Sequence, residues 1–365
     1  MKHRPRGRWL TAAAVLAACL LGAVAIVVFR GSGPDTPEVT ECGGRSADDY
    51  LCFERRYRGL TLTAGTLDAF QELKRESGEN PFVRAVCHGL AHEIGRTAAE
   101  RRGSVADIYA RGDTFCGSGY FHGAMETVVR RIGERRAVEN APKLCADKAG
   151  GLPPGSVYLR NCVHGVGHGF MAVQRNDVFR SLPACDRLRA GWERAQCYDG
   201  VFMQNIMSRD APHYPSKQLR DSEPLYPCTA VGRRYKARCY ERQTVQVLLT
   251  QDGDFARGFE LCDGAERDFR TSCYAGLGRD AGGYGLDNRE TGPAQAAETA
   301  ALCHLGRSAE ARERCVVGAA EFLLRQSERD AQARALCRAL EGELRSLCTV
   351  TVRRRDTVRR RQAAS

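Results

Sequence analysis

Two stretches of this chain place the same soft and borderline ligands at the same spacing. Residues 162–171 read CVHGVGHGFM and residues 116–125 read CGSGYFHGAM, both obeying C-x-x-G-x-x-H-G-x-M. Cys116 thus matches Cys162, Gly119 matches Gly165, His122 matches His168 and Met125 matches Met171. A third copy starts at Cys197 (CYDGVFMQNIM), with Gly200 in the glycine place and Met203 where the others carry histidine. A degenerate relative, Cys87 to Glu93 (CHGLAHE), precedes them. Five of the eight histidines (His88, His92, His122, His164, His168) fall in these segments, as do Met125, Met171, Met203 and Met207.

The chemistry this suits is metal coordination. His88 and His92 are four apart, as are His164 and His168, and on a helix that spacing puts both rings on one face as a chelating pair. His122 holds the repeat position of His168, so stacked elements bring the three segments together. Imidazole suits copper and zinc, and the thioethers of Met125, Met171 and Met203 favour copper. The competing reading is structural: histidines hydrogen-bonded at tight helix crossings, with methionines filling gaps. Known catalytic signatures fail. In His92-Glu93-Ile94-Gly95-Arg96 an arginine stands where H-E-x-x-H needs its second ligand. In His88 to His92 an alanine replaces the acid of the inverted motif. Glu93 and Glu126 flank the histidines as bases for a metal-assisted reaction or, on the plainer reading, as solvated helix positions. Residues 276–281 (GLGRDA) mimic a dinucleotide fingerprint but follow no strand. No catalytic residue is assigned.

The elements that must hold these residues show in the cysteines. From Cys145 they fall into pairs, 145/162, 185/197, 228/239, 262/273, 303/315 and 337/348, the last five separated by 11 or 12 residues. The second member recurs at steps of 33 to 42 residues, a period expected of stacked helical hairpins. Cys87 with Cys116 and Cys42 with Cys52 complete the set. The expected hairpin has one cysteine closing its first helix and the next opening its second. A disulfide needs Cα atoms about 5.5 Å apart, closer than ordinary helix packing of roughly 8–10 Å. The glycine three residues after the second cysteine (Gly119, Gly165, Gly200, Gly276, Gly318) answers that need. The expected fold is all-α: disulfide-stapled helical hairpin repeats, solenoid-like or as a compact bundle, behind one N-terminal transmembrane helix. Over residues 140–350 this resembles the Sel1-like repeat proteins in period and cysteine pairing, though not in their Gly, Ala and Tyr consensus. The resemblance implies an interaction scaffold and carries no binding residues.

Net charge is +11 with 55 Lys and Arg, which suits anionic surroundings. The N-terminus argues for lipid or cell-wall polymer and against nucleic acid. Residues 1–8 carry Lys2, Arg4, Arg6 and Arg8, and an apolar run of 21 residues, 9–29, is long enough to cross a bilayer. We read a signal-anchor with the rest exported. Leu16 to Cys19 as a lipobox, or cleavage near Ala23 to Ala25, are the alternatives. Sixteen cysteines beyond Cys19 are an even number, and no C-x-x-C occurs, so an exported disulfide framework is expected. Residues 30–82 form a linker and a helix over Leu60 to Glu76, residues 83–210 the Cys/His/Met-rich helical part, 211–227 a Pro-rich loop and 228–352 further Cys-paired repeats. The tail 353–365 is basic, with six arginines between Arg353 and Arg361, and attracts anionic polymer or frays. The functional expectation is a single-pass cell-membrane protein whose exported part binds copper in preference to zinc. The alternative is an envelope-protein scaffold with structural histidines.

Overall fold

Side-chain caps and left-handed turns set where the helices begin and end. The computed structural model describes residues 42–43, 47–101, 103–145, 157–209, 214–287, 293–325 and 330–363. Among these lie sixteen α-helices and no strand. They are α1 (Ala47–Thr63), α2 (Thr66–Glu79), α3 (Pro81–Glu100), α4 (Val105–Ala110), α5 (Gly119–Ile132), α6 (Glu134–Leu144), α7 (Val157–Val173) and α8 (Val178–Cys185). There follow α9 (Gly191–Met207), α10 (Arg233–Leu249), α11 (Phe255–Asp263), α12 (Arg270–Asp287), α13 (Pro293–His304), α14 (Ala309–Arg325), α15 (Asp330–Ala339) and α16 (Gly342–Ala363). The helix expected over Leu60 to Glu76 is instead two, because Gly65 takes φ +102° and breaks the run between α1 and α2. Asn80 caps α3, accepting from the N–H groups of Phe82 and Val83 with Pro81 at the first helical position.

Helices α3, α5, α7, α9, α10, α12, α14 and α16 pack successively into an inner row, and other helices back them. The row curls far enough that α3 touches α12. Disulfides join Cys87 to Cys116, Cys145 to Cys162, Cys185 to Cys197, Cys228 to Cys239, Cys262 to Cys273, Cys303 to Cys315 and Cys337 to Cys348, with Cα atoms 5.3–5.8 Å apart. Cys42 and Cys52 are disulfide-bonded as well. The second cysteine does not open its helix. Cys197, Cys239, Cys315 and Cys348 each stand seventh. The reason is the residue three before it, a cation that turns back onto carbonyls of the linking turn. Arg194 donates to Leu188 O (2.9 Å), Arg270 to Ala265 O (3.1 Å), Arg312 to Gly306 O (2.8 Å) and Arg345 to Arg338 O (3.0 Å). These four hairpins are thus clamped twice, by sulfur and by guanidinium, before the inner helix continues. Part of the arginine excess is therefore structural.

Residues 214–227 contain no helix, and the arginines of the basic tail prolong α16. Among the described residues no helix is long and apolar enough to cross a membrane. The apolar run 9–29 and the basic tip 1–8 lie outside the described residues.

Glycine brings the inner helices into backbone contact. A Cβ on Gly95 would overlap the Tyr120 carbonyl, one on Gly119 the His88 carbonyl, and one on Gly123 the His92 carbonyl. The α7–α9 crossing repeats this, Gly167 against Cys197 O and Gly200 against His164 O, as does α12–α14, Gly278 against Cys315 O and Gly318 against Ala275 O. Replacing Gly200 by alanine is expected to cost about 1–3 kcal/mol through overpacking. Replacing Gly59, a helical glycine with nothing within 4 Å, is expected to stabilise by about 0.5–1 kcal/mol. Chemical denaturation of the two variants measures both signs.

Candidate metal centre

The three histidine-bearing segments become three neighbours in the inner row, α3, α5 and α7, held close by glycines that abut the histidines' own carbonyls. All five predicted histidines converge. Ring centroids of His122 lie 5.3 Å from His88, 5.3 Å from His92, 4.5 Å from His164 and 4.7 Å from His168. Within each helix the i, i+4 pair meets through Nε2: His88 to His92 at 3.1 Å, and His164 to His168 at 3.1 Å. Two triads, His88/His92/His122 and His122/His164/His168, each gather their ligand atoms within 4.8 Å of one another and can hold a metal ion.

The other ring nitrogens are held from behind. His88 Nδ1 donates to Cys116 O at 2.7 Å, and His92 Nδ1 lies 3.1 Å from Glu126 Oε1. His164 Nδ1 faces Asp199 Oδ2 at 3.2 Å, and His168 Nδ1 faces Gln204 Oε1 at 2.8 Å. Acceptors at Nδ1 place the proton there and leave Nε2 as a lone pair, the orientation used by metal-bound imidazoles. Glu126 also forms a triad with His92 and His168, but its Oε1 lies 3.1 and 3.8 Å from their Nδ1 atoms, behind the rings. Its role is to orient both. Arg96 in turn holds Glu126 (3.3 Å), Glu93 (2.8 Å) and Glu54 (3.0 Å). The residue that spoils the zincin motif is the anchor of this outer shell.

Local backbone explains the first acceptor. Cys116, Gly117 and Ser118 all take positive φ, 54°, 64° and 67°, before α5 begins. Two of these are not glycine, and such strain persists where the surroundings impose it. The Cys87–Cys116 bond and the His88 hydrogen bond do so here.

The expectation that Glu93 and Glu126 are solvated is corrected: they are 8% and 2% exposed, sequestered by Arg96. The methionines divide. Met125 is buried at the α5–α7 crossing with its sulfur 4.0 Å from Cys162 Sγ, and Met171 is fully buried. Met203 lines the same cavity as His88, His122 and His164. Asp199 and Gln204 were not singled out from the sequence, although both belong to the third motif copy. That copy supplies acceptors to the α7 histidines in place of another imidazole.

The cavity measures about 1980 Å³ and is bounded by the inner row from α3 to α16. Nine Lys and Arg against six Asp and Glu line it, so its bias is cationic. Much of that charge is paired: Arg242 makes a two-pronged ion pair with Asp199, and Arg279 pairs with Asp280. Burial raises the Asp199 carboxyl, but Arg242 and His164 outweigh it and hold the group well below the usual range. Burial is also the largest influence on the rings. It lowers His88 to about 4 and takes His92, His122 and His168 well below 6.5, with neighbouring imidazoles adding to the effect.

No known protein family, curated protein or solved structure matches this chain. Its function therefore rests on the chemistry of this site.

The depressed histidines fix a pH dependence of the metal-free protein. Between His88's folded value of about 4 and the unfolded 6.5, the unfolded chain binds protons that the folded chain refuses. Stability is therefore complete above pH 6.5 and falls as pH drops towards 4, by about 1.4 kcal/mol per pH unit for each excluded proton. Urea unfolding at several pH values, compared with His88→Gln, measures the slope, which the variant should lessen.

Proposed function

We propose that this chain is an exported, membrane-anchored protein that binds a transition metal in its histidine cluster, copper in preference to zinc. The observation that carries the reading is the His88–His92 pair. Cys116 O can only accept, and Glu126, paired with Arg96, is an acceptor as a carboxylate, so both Nδ1 atoms keep their protons. The two Nε2 lone pairs then face each other at 3.1 Å. A proton would relieve this only by making a buried imidazolium, which burial opposes. A metal relieves it directly. Two nitrogens about 2.05 Å from a tetrahedral ion stand about 3.3 Å apart, close to the spacing found. The cavity gives a small ligand access to His88, and Met203 on its wall is the soft donor that supports copper. The apolar run 9–29 and the disulfide set support export to an oxidising compartment. The cationic bias of the cavity and tail supports an anionic envelope polymer or protein as partner.

The full-length chain, purified from an oxidising compartment, is expected to carry metal and to melt higher with added copper than with zinc at equal concentration. A hundredfold excess over Kd adds about 2.7 kcal/mol. Glu126→Ala, which frees His92 behind the ring, is expected to weaken metal binding about 10–100-fold. A wild-type melting temperature indifferent to copper and zinc would assign the histidines to the scaffold alone.

A further inference from the structure

The cluster offers more imidazoles than one tetrahedral ion accepts, and it offers them as two chelates rather than one. His88 with His92 on α3 and His164 with His168 on α7 are each closed pairs, their Nε2 atoms 3.1 Å apart. His122, on the intervening α5, completes a triad with either pair. It is also the exception among the five rings. The other four have Nδ1 held by Cys116 O, Glu126, Asp199 and Gln204, whereas His122 Nδ1 is buried without a hydrogen-bond partner in a residue 3% exposed. A buried polar nitrogen left unpaired is destabilising unless something outside the polypeptide takes it up.

Building on the metal-binding reading, we propose that the centre is dinuclear: one ion on His88 and His92, a second on His164 and His168, and the His122 ring bridging them with one nitrogen to each. The bridge forms when the ring surrenders its remaining N–H proton to solvent as the second ion binds, so both nitrogens become lone-pair donors. The resulting imidazolate contributes one negative charge to a pocket that takes on two cations. Glu126, astride His92 and His168, and Asp199, behind His164, place a carboxylate beside each pair, each shared with a guanidinium, Arg96 and Arg242. One ion would leave one pair of facing lone pairs unrelieved.

The test is a metal count on the full-length chain, stripped and then equilibrated with excess zinc, followed by electron paramagnetic resonance of the copper(II) form. Two zinc ions per chain are expected, falling to one in His92→Gln and to one in His168→Gln. In the copper(II) protein the bridge couples the two spins, so the signal should fall below the sum of the two single-site variants. One ion per wild-type chain, lost entirely in either variant, would overturn the proposal in favour of a single polyimidazole site. Two ions with a fully additive signal would overturn the bridge. A wild-type chain that takes up no metal would overturn the metal-binding reading itself. The wild-type count alone decides between one ion and two, even where a variant fails to fold.

Discussion

Everything at the centre of this molecule depends on how closely helix backbones can approach. Ordinary side chains hold helix axes roughly 8–10 Å apart. Here Gly95, Gly119 and Gly123 remove the spacers between α3 and α5, and Gly167 and Gly200 do so between α7 and α9. The carbonyls they meet include those of His88, His92 and His164, so close packing and convergence of the imidazoles are one event. The same contact recurs between α12 and α14, where no histidine is present. Close crossing thus recurs along the row, and the histidine cluster occupies the part of it whose inward positions carry imidazoles.

Much of this was legible in the chain. The run of cysteine pairs identified the six bonds from Cys145 to Cys348, because a hairpin repeats its staple at a regular interval, and elimination left Cys87 for Cys116. The motif copies brought the five histidines together because equivalent positions on stacked helices point alike. What escaped were residues whose importance arises only from a partner distant in sequence. Asp199 and Gln204 are ordinary helix residues until α9 lies against α7. Arg194, Arg312 and Arg345 were not singled out, although each closes its own turn. Gly65 escaped because helical periodicity continues through the break on both sides.

Polarity in the centre is layered rather than mixed. Imidazoles line the middle, acceptors stand behind them, and guanidinium groups stand behind the acceptors: Arg96 behind Glu126, Arg242 behind Asp199. Glu126 and Asp199 each have a guanidinium on one side and imidazole on the other, and for Asp199 these partners hold the carboxyl well below the usual range despite burial. The inner face is left electron-rich and uncommitted.

The turn at Cys116 gives the Cys87–Cys116 bond a role beyond stability. Cys87 adjoins His88 in α3, and the Cys116 carbonyl is the group that sets the His88 proton. Before that bond forms, nothing covalent holds the left-handed turn against α3, and the His88 ring is free to choose its tautomer. Ligand readiness is thereby tied to oxidation. In the reduced chain the sulfur tether between Cys87 and the Cys116 turn is absent, so the geometry that fixes the His88 proton is complete only once that bond has formed.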